Sequence, residues 1–237
     1  MNILALETST EYLSLAVGRG DVVVARHIHA GQRHAERVFE EIRGIVAEAG
    51  LALADLDAVA FGRGPGSFTG VRVCCGVTQG LAFSLGIPVK GVVTLEAVAE
   101  EAHAATGATK VIVCLDARMG EVYHAAYTRN VGAPDGSGWT IVMEPGVYRP
   151  DDVPEMTGEG WVGAGSGFAS YGDILAKRYL ANTNLIHPDL VPTARAVLAL
   201  ARPALEAGKG EAPAEALPLY VRDKVALTRS ERAARTA

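Results

Sequence analysis

An excess of positive charge is the first thing missing: 22 lysines and arginines stand against 27 aspartates and glutamates, a net charge of −5. Tight, autonomous binding to nucleic acid depends on clustered cations that neutralise phosphates, and the composition offers no basis for it. No run reaches the ~18 uncharged apolar residues of a membrane span. Met1-Asn2-Ile3-Leu4 lacks a basic leader region and Glu7 interrupts the apolar run, so a secretory signal is not expected. The three cysteines, Cys74, Cys75 and Cys114, are odd in number and two are adjacent. That argues against a disulfide framework and for reduced thiols in a cytoplasm. Charged residues are only 21% of the chain and hydrophobic ones 49%, which excludes disorder and supplies a substantial core. At 237 residues that core could be one large domain or two halves.

What is present favours two halves. The apolar run Ile3-Leu4-Ala5-Leu6 ends in Glu7-Thr8-Ser9-Thr10, and Tyr12 to Gly18 follows at once. This reads as two strands joined by a polar turn with a carboxylate at its bend, with Val22 to Ala25 as a third strand. The arrangement returns half a chain later. Val111 to Leu115 leads into Asp116-Ala117-Arg118-Met119-Gly120, then Glu121 to Tyr127, with Thr140 to Glu144 as a third strand. A unit that recurs in this way points to duplicated domains.

Between the copies, strands alternate with helices. Ala35, Val38, Phe39, Ile42, Ile45 and Val46 recur at helical spacing, which predicts a helix over Arg33 to Glu48 closed by Gly50. Asp57 to Gly62 reads as a buried strand. A helix over Gly70 to Leu85 follows, capped by Ser67 or Thr69 and stopped by Gly86 and Pro88. Pro88 to Val93 and Leu95 to Ala105 give one more strand and helix. The expected class is α/β, with mixed sheets and flanking helices. The second half is less regular: a turn at Asp135 to Gly138, loop with one short helix over Pro145 to Gly160, a strand at Trp161 to Gly163, a helix from Thr193 to Gly208, and a basic ending with Lys224, Arg229, Arg232 and Arg235.

Gly62-Arg63-Gly64-Pro65-Gly66-Ser67-Phe68-Thr69-Gly70-Val71-Arg72 joins a strand to a helix, where free amides and the helix dipole could hold an anion. It is neither a Walker loop nor a Rossmann fingerprint, because no Gly-Lys-Ser or Gly-Lys-Thr ends it and Ser67 stands at the third glycine position. A tight structural turn is the alternative. In the helix behind it, Gly76 and Gly80 stand four apart, where each costs about 1 kcal/mol relative to Ala. With Val73, Val77 and Phe83 they define a smooth face for close approach of another backbone, either within the chain or across a subunit interface.

Ile3 to Thr10, the Gly62 to Arg72 loop, Asp116 to Tyr123 and the closing Leu219-Tyr220-Val221-Arg222-Asp223 together resemble the TsaB (YeaZ) family, in order and over nearly the whole chain. The resemblance implies two RNase-H-like lobes of the ASKHA (actin/Hsp70-like) fold. The expected division is 1–105 and 106–237, with the last helical segment packing back on the first lobe. It further implies a non-catalytic scaffold of the tRNA threonylcarbamoyladenosine transferase complex, pairing with the catalytic paralogue TsaD, the ATPase TsaE and itself as a homodimer. On this reading tRNA is met only through the complex. The implied interface comprises His34, Glu36 and Val38 on the first helix, and Thr69, Arg72, Val73, Gly76, Val77, Gly80 and Phe83 on the second. The family usually carries Asp where this chain has Glu7, which weakens an ATP site in this lobe.

Catalytic readings find little support. The catalytic relative's metal-binding His-x-x-x-His pattern is absent, since no two of His27, His29, His34, His103, His124 and His187 lie four apart. His27 and His29 could share a strand face, but no third ligand is evident. No Gly-x-Ser-x-Gly elbow occurs, because Ala164 stands two positions before Ser166 and Pro65 two before Ser67. Cys74 and Cys75 read as packing residues. Glu7, Thr8, Ser9 and Asp116 are the candidates for vestigial phosphate loops, or simply for turn capping. This chain is expected to need no cofactor of its own, with ATP or ADP and Mg acting within the complex. A stand-alone ATPase or glycoprotease-like peptidase using the inter-lobe cleft is the rival reading.

Overall fold

The structure, a computed structural model, describes residues 1–130 and 138–222. All but Gly138 of the expected turn at Asp135 to Gly138 lies outside these residues, as do Asp223 and the basic ending. The first five strands are β1 (Asn2–Glu7), β2 (Tyr12–Arg19), β3 (Val22–His29), β4 (Ala58–Gly62) and β5 (Val89–Val92). They form one sheet in the order β3-β2-β1-β4-β5, antiparallel from β3 to β1 and parallel from β1 to β5. The second sheet uses β6 (Lys110–Arg118), β7 (Glu121–Arg129), β8 (Trp139–Tyr148), β9 (Trp161–Ala164) and β10 (Thr183–His187). Its order, β10-β9-β6-β7-β8, repeats the first when β6 is set on β1, with the same senses of pairing. The duplication read from the hairpins thus extends to all five strands.

The helices are α1 (His34–Glu48), α2 (Phe68–Leu85), α3 (Thr94–Thr106), α4 (Gly167–Ser170), α5 (Gly172–Tyr179) and α6 (Ala194–Glu206). Because side chains alternate along a strand, β1 sends Leu4 and Leu6 to one face and Ile3 and Ala5 to the other. The leucine face packs against α1 and α2, through Val38, Ile42, Val71 and Cys74. The opposite face, lined by Ala5, Ala16, Ala58 and Ala60, receives α6 through Ala194, Val197, Leu198 and Ala201. Each fully buried Val or Leu in these layers stabilises by about 1.5–3 kcal/mol.

The lobes are interlocked. α3 follows β5 in sequence, yet Leu95, Val98 and Ala102 pack with Val111, Val113 and Tyr127 of the second sheet. α6 follows β10, yet packs on the first sheet, with Ser14 Oγ accepting the Ala194 amide at 2.9 Å. Each lobe therefore lends its last helix to the other's sheet or to the seam between them. β8 also runs on to Tyr148, through residues expected to be loop, while α4, α5 and β10 were not anticipated in the sequence.

One polar contact sits inside the second lobe's core. His124 on β7 is fully buried, with Nε2 2.9 Å from Tyr179 Oη, which donates to the Pro154 carbonyl at 3.0 Å. A neutral ring protonated at Nε2 satisfies that chain and leaves Nδ1 without a partner. Burial pushes its pKa down to about 4. Its folded value lies below the unfolded one near 6.5, so its contribution is complete above pH 6.5 and fades as pH falls toward 4. Glu96, pushed up to about 7 by burial and then by Glu100, slopes the opposite way, so the test must be differential. Urea unfolding should show wild type more stable than His124→Gln at neutral pH, with the gap narrowing by about 2 kcal/mol near pH 4.5. A gap that does not change with pH would mean that this imidazole is not held neutral.

Candidate functional site

The glycine-rich segment is shaped by the turn it rests on. A Cβ at Gly70 would stand 2.0 Å from the Thr8 carbonyl oxygen, one at Gly66 would stand 2.5 Å from Ser9 Cβ, and one at Gly62 would meet the Glu7 carboxylate at 1.9 Å. Gly64 has φ +98°, a conformation that favours glycine. Hydrogen bonds complete the seal: Ser67 N to Ser9 O at 2.7 Å, and Thr8 Oγ1 to Gly70 O at 2.8 Å. The Arg63, Gly64 and Gly70 amides are likewise bonded, to Val92 O, Thr94 Oγ1 and the Ser67 cap. The segment is a structural turn docked on a turn, and these amides are already taken.

Glu7 is part of that dock. Its Oε1 accepts the Ser9 amide at 2.6 Å, and Thr94 Oγ1 donates to its Oε2 at 3.3 Å. The side chain is buried, which pushes its pKa up against the lowering effect of those bonds. Asp116, at the matching position of the second lobe, differs. Its Oδ1 accepts the Arg118 amide at 2.8 Å, and its Oδ2 pairs with Arg118 Nη1 at 3.2 Å. Arg118 and Met119 adopt φ +62° and +58°, so the tip of this turn holds two side chains in the left-handed region.

A cleft of about 750 Å³ separates the lobes. Ser9, Thr10 and Ser67 line one wall, and Asp116, Arg118 and Ser166 the other. Of the four candidate phosphate-loop residues, Ser9 and Asp116 reach the cleft, whereas Glu7 and Thr8 are buried beneath its wall. A metal-bound nucleotide held between paired acids does not fit this arrangement, because one of the two acids points into the protein. Among the described residues no three His, Cys, Asp or Glu side chains converge as a metal set. His27 and His29 instead flank Tyr12, with His27 stacked at 4.3 Å and His29 edge-on at 5.4 Å. Burial raises the Cys74 thiol well above its usual range and the Cys75 thiol to about 11, so neither offers a thiolate at neutral pH.

A strap not recognised in the sequence closes one side of the cleft. Glu211 pairs with Val89 on the edge of β5, and Lys90 Nζ meets its carboxylate at 2.7 Å. Gln79 on α2 donates to the Ala214 carbonyl, and Leu219 N donates to Arg63 O at 2.7 Å. Arg222 then reaches the second lobe, donating to Ala117 O at 3.0 Å and to Glu121 Oε2 at 2.6 Å.

The other candidate surface is the outer face of α1 and α2. Gly76 and Gly80 lie on it, and a Cβ at either would meet nothing within 4 Å. Glu36, Thr69 and Phe83 are exposed beside them, Phe83 by 81%, and Val73 is half-buried. Three expected interface residues are placed otherwise. Val38 and Val77 belong to the core beneath, and His34 is buried with Nε2 3.1 Å from the Tyr12 carbonyl. Arg72 folds back, its Nε donating to Tyr220 Oη at 2.8 Å. Phe39 is 52% exposed and was missed. Its hydrophobic character and helical spacing let it pass for a core position, since the equally adjacent Ile45 and Val46 on the same helix are both buried.

Two mixed five-stranded sheets of matching strand order, flanked by helices on either side of a cleft, define a two-lobed α/β protein of the ASKHA type. Residues 27–146 match the family model described as TsaD: tRNA N6-adenosine threonylcarbamoyltransferase. The chain is 37% identical over 230 residues to the tRNA threonylcarbamoyladenosine biosynthesis protein TsaB of Escherichia coli K12, covering 95% of this chain and 96% of that one. Identity to the Haemophilus influenzae TsaB is 35% over 231 residues, 95% of each chain. Among solved structures, YeaZ from Pseudomonas aeruginosa superposes with a TM-score of 0.80 at 36% identity, over 92% of this chain and 99% of that one. The chain belongs to the TsaB family of tRNA threonylcarbamoyladenosine biosynthesis proteins.

The two kinds of glycine on α2 make opposite predictions. Gly70→Ala should destabilise by about 2–3 kcal/mol, since backbone must move to admit the methyl group. Gly80→Ala, on the same helix, should stabilise by up to about 1 kcal/mol. Equal midpoints in urea unfolding for the two variants would refute the docked-turn description.

Proposed function

We propose that this chain is a non-catalytic partner subunit that grips a homologous catalytic subunit, TsaD, through the outer face of α1 and α2. In this role it works with the ATPase TsaE in transfer of threonylcarbamoyl to tRNA, in the cytoplasm. One observation carries the reading. Gly76 and Gly80 each weaken a regular helix by about 1 kcal/mol, and nothing among the described residues requires them. Gly62, Gly66 and Gly70 have an internal reason to be glycine, and these two do not. A second backbone approaching the groove between them supplies the missing reason.

Phe39 on α1 and Phe83 on α2 are exposed apolar anchors, of the kind that dominate binding energy at interfaces. The same patch can meet its own copy about a two-fold axis, so homodimer and heterodimer compete for one surface. Free, buried Cys74, Cys75 and Cys114 suit a reducing compartment. ATP and Mg are assigned to the other subunits. The inward-facing Glu7 counts against a stand-alone ATPase, and the raised thiols against a cysteine peptidase.

Gly76→Leu and Gly80→Leu should leave the fold intact or slightly more stable, because each side chain enters open space and leucine is the better helix former. Pairing with TsaD, and self-association by light scattering, should fall by tenfold or more, about 1.4 kcal/mol. Reconstituted modification of tRNA with TsaD, TsaE and threonylcarbamoyl-AMP should fall in step. Full modification without this chain, or unimpaired pairing by both variants, would end the proposal.

A further inference from the structure

Where α2 begins, the strap and the helix put an unusual group at the mouth of the cleft. Phe68 is 47% exposed and Tyr220 52% exposed, with ring centroids 6.4 Å apart and planes tilted by 35°. The Arg72 guanidinium lies 3.4 Å from the Phe68 centroid and 5.6 Å from that of Tyr220, tied to the latter by its hydrogen bond. Among the described residues no carboxylate forms an ion pair with Arg72. Across the cleft stands Arg118, 83% exposed on the strained Asp116 to Gly120 turn.

The Arg72 guanidinium caps one face of the Phe68 ring, and the Tyr220 ring, half exposed, stands beside that pair. Such surface cation–π contacts contribute little to folding. The three groups do form a platform of flat faces at the rim of a groove whose volume suits a nucleotide rather than a protein domain. Every nucleobase has a face that stacks on aromatic or guanidinium planes, and Arg118, exposed though paired with Asp116 at 3.2 Å, is the cation in the same cleft that a backbone phosphate could share. The charge is local, in a chain whose net charge is −5, so what it favours is a weak single-strand contact and not duplex binding.

We propose that the Phe68–Arg72–Tyr220 lip is a stacking site for an unpaired base of an RNA strand, with the adjoining phosphate directed toward Arg118. This places a direct RNA contact on the chain itself, where composition alone offered none. The lip is distinct from the outer face of α1 and α2, so RNA affinity and subunit pairing are read by separate measurements.

The test uses the purified full chain and a fluorescein-labelled single-stranded oligoribonucleotide of about 12 nucleotides, followed by anisotropy, with the same sequence as a duplex for comparison. The single strand should bind more tightly than the duplex. The Phe68→Ala/Tyr220→Ala double variant should bind it about tenfold more weakly or worse. Tyr220→Phe, which keeps the ring and loses only the hydroxyl, should bind nearly as wild type. Arg118→Gln should reduce the slope of log affinity against log salt by about 0.7, the loss of one phosphate contact. Circular dichroism confirms that each variant is folded. Unchanged affinity in the double variant overturns the proposal. So does loss of TsaD pairing with RNA affinity intact, which would make the lip a protein contact. Saturation by free AMP without measurable affinity for the oligonucleotide would assign the same stacking chemistry to a mononucleotide and overturn the RNA assignment.

Discussion

Everything on the working side of the first lobe is set by backbone-on-backbone contact between the Gly62 to Gly70 segment and the Glu7 to Ser9 turn. With Thr8 O where a Gly70 Cβ would be, and Ser9 where a Gly66 Cβ would be, the two segments can approach only because one has no side chains. That contact fixes where α2 starts and how it lies on the sheet. The orientation of α2 turns Val71, Cys74 and Val77 into the core and leaves Gly76, Gly80 and Phe83 facing out. It also brings Phe68 and Arg72 to the rim of the cleft, beneath the strap.

The same contact limits what the segment can offer an anion. An anion cradle at a helix N-terminus needs free amides and room for the anion. Here the Arg63, Gly64, Ser67 and Gly70 amides are bonded to Val92, Thr94, Ser9 and the Ser67 cap, and the neighbouring turn fills the space against Gly66 and Gly70. Glu7 follows from this. Packed over Gly62 and holding the Ser9 amide and Thr94 hydroxyl, its carboxylate braces the dock from inside and does not reach the cleft. A carboxylate that serves as an internal brace is poorly placed to organise a metal, and of the two matching acids Glu7 and Asp116 only Asp116 reaches the cleft.

How much of this was legible depended on whether the signal was local. The duplicated hairpins were, because alternating apolar runs around Glu7 and Asp116 are patterns over a few residues. The glycines were, because two glycines inside a long helix are anomalous wherever they occur. The direction of a helical face was not. Val38 and Phe39 are adjacent, as are Gly76 and Val77, and periodicity alone cannot say which of two apolar stripes meets the sheet. α5 escaped notice because its core side is only Leu175 and Tyr179, and β10 because five mixed residues carry no period. The strap was invisible for a different reason. Arg222 contacts Glu121, 101 positions earlier, and Tyr220 contacts Arg72, 148 positions earlier, and no local pattern records such pairings.

The long-range contacts bear on how the two lobes can move. In a two-lobed enzyme that cycles, the lobes must swing about a hinge between them. Here α3 reaches into the second lobe's core and α6 onto the first sheet. Thr193 at the start of α6 hydrogen-bonds Glu101 on α3, and the strap ties β5 and α2 to the Ala117 to Glu121 turn. A swing would have to break buried packing on both sides of the seam as well as the Arg222 contacts. Removing one partner of such a charge pair typically costs more than the intact pair contributes. The interlock therefore opposes a closing cycle of the chain's own and favours a fixed surface. A fixed surface is what a partner subunit needs if its contribution is to hold a mobile catalytic relative in one arrangement, since less ordering entropy is then lost when the two meet.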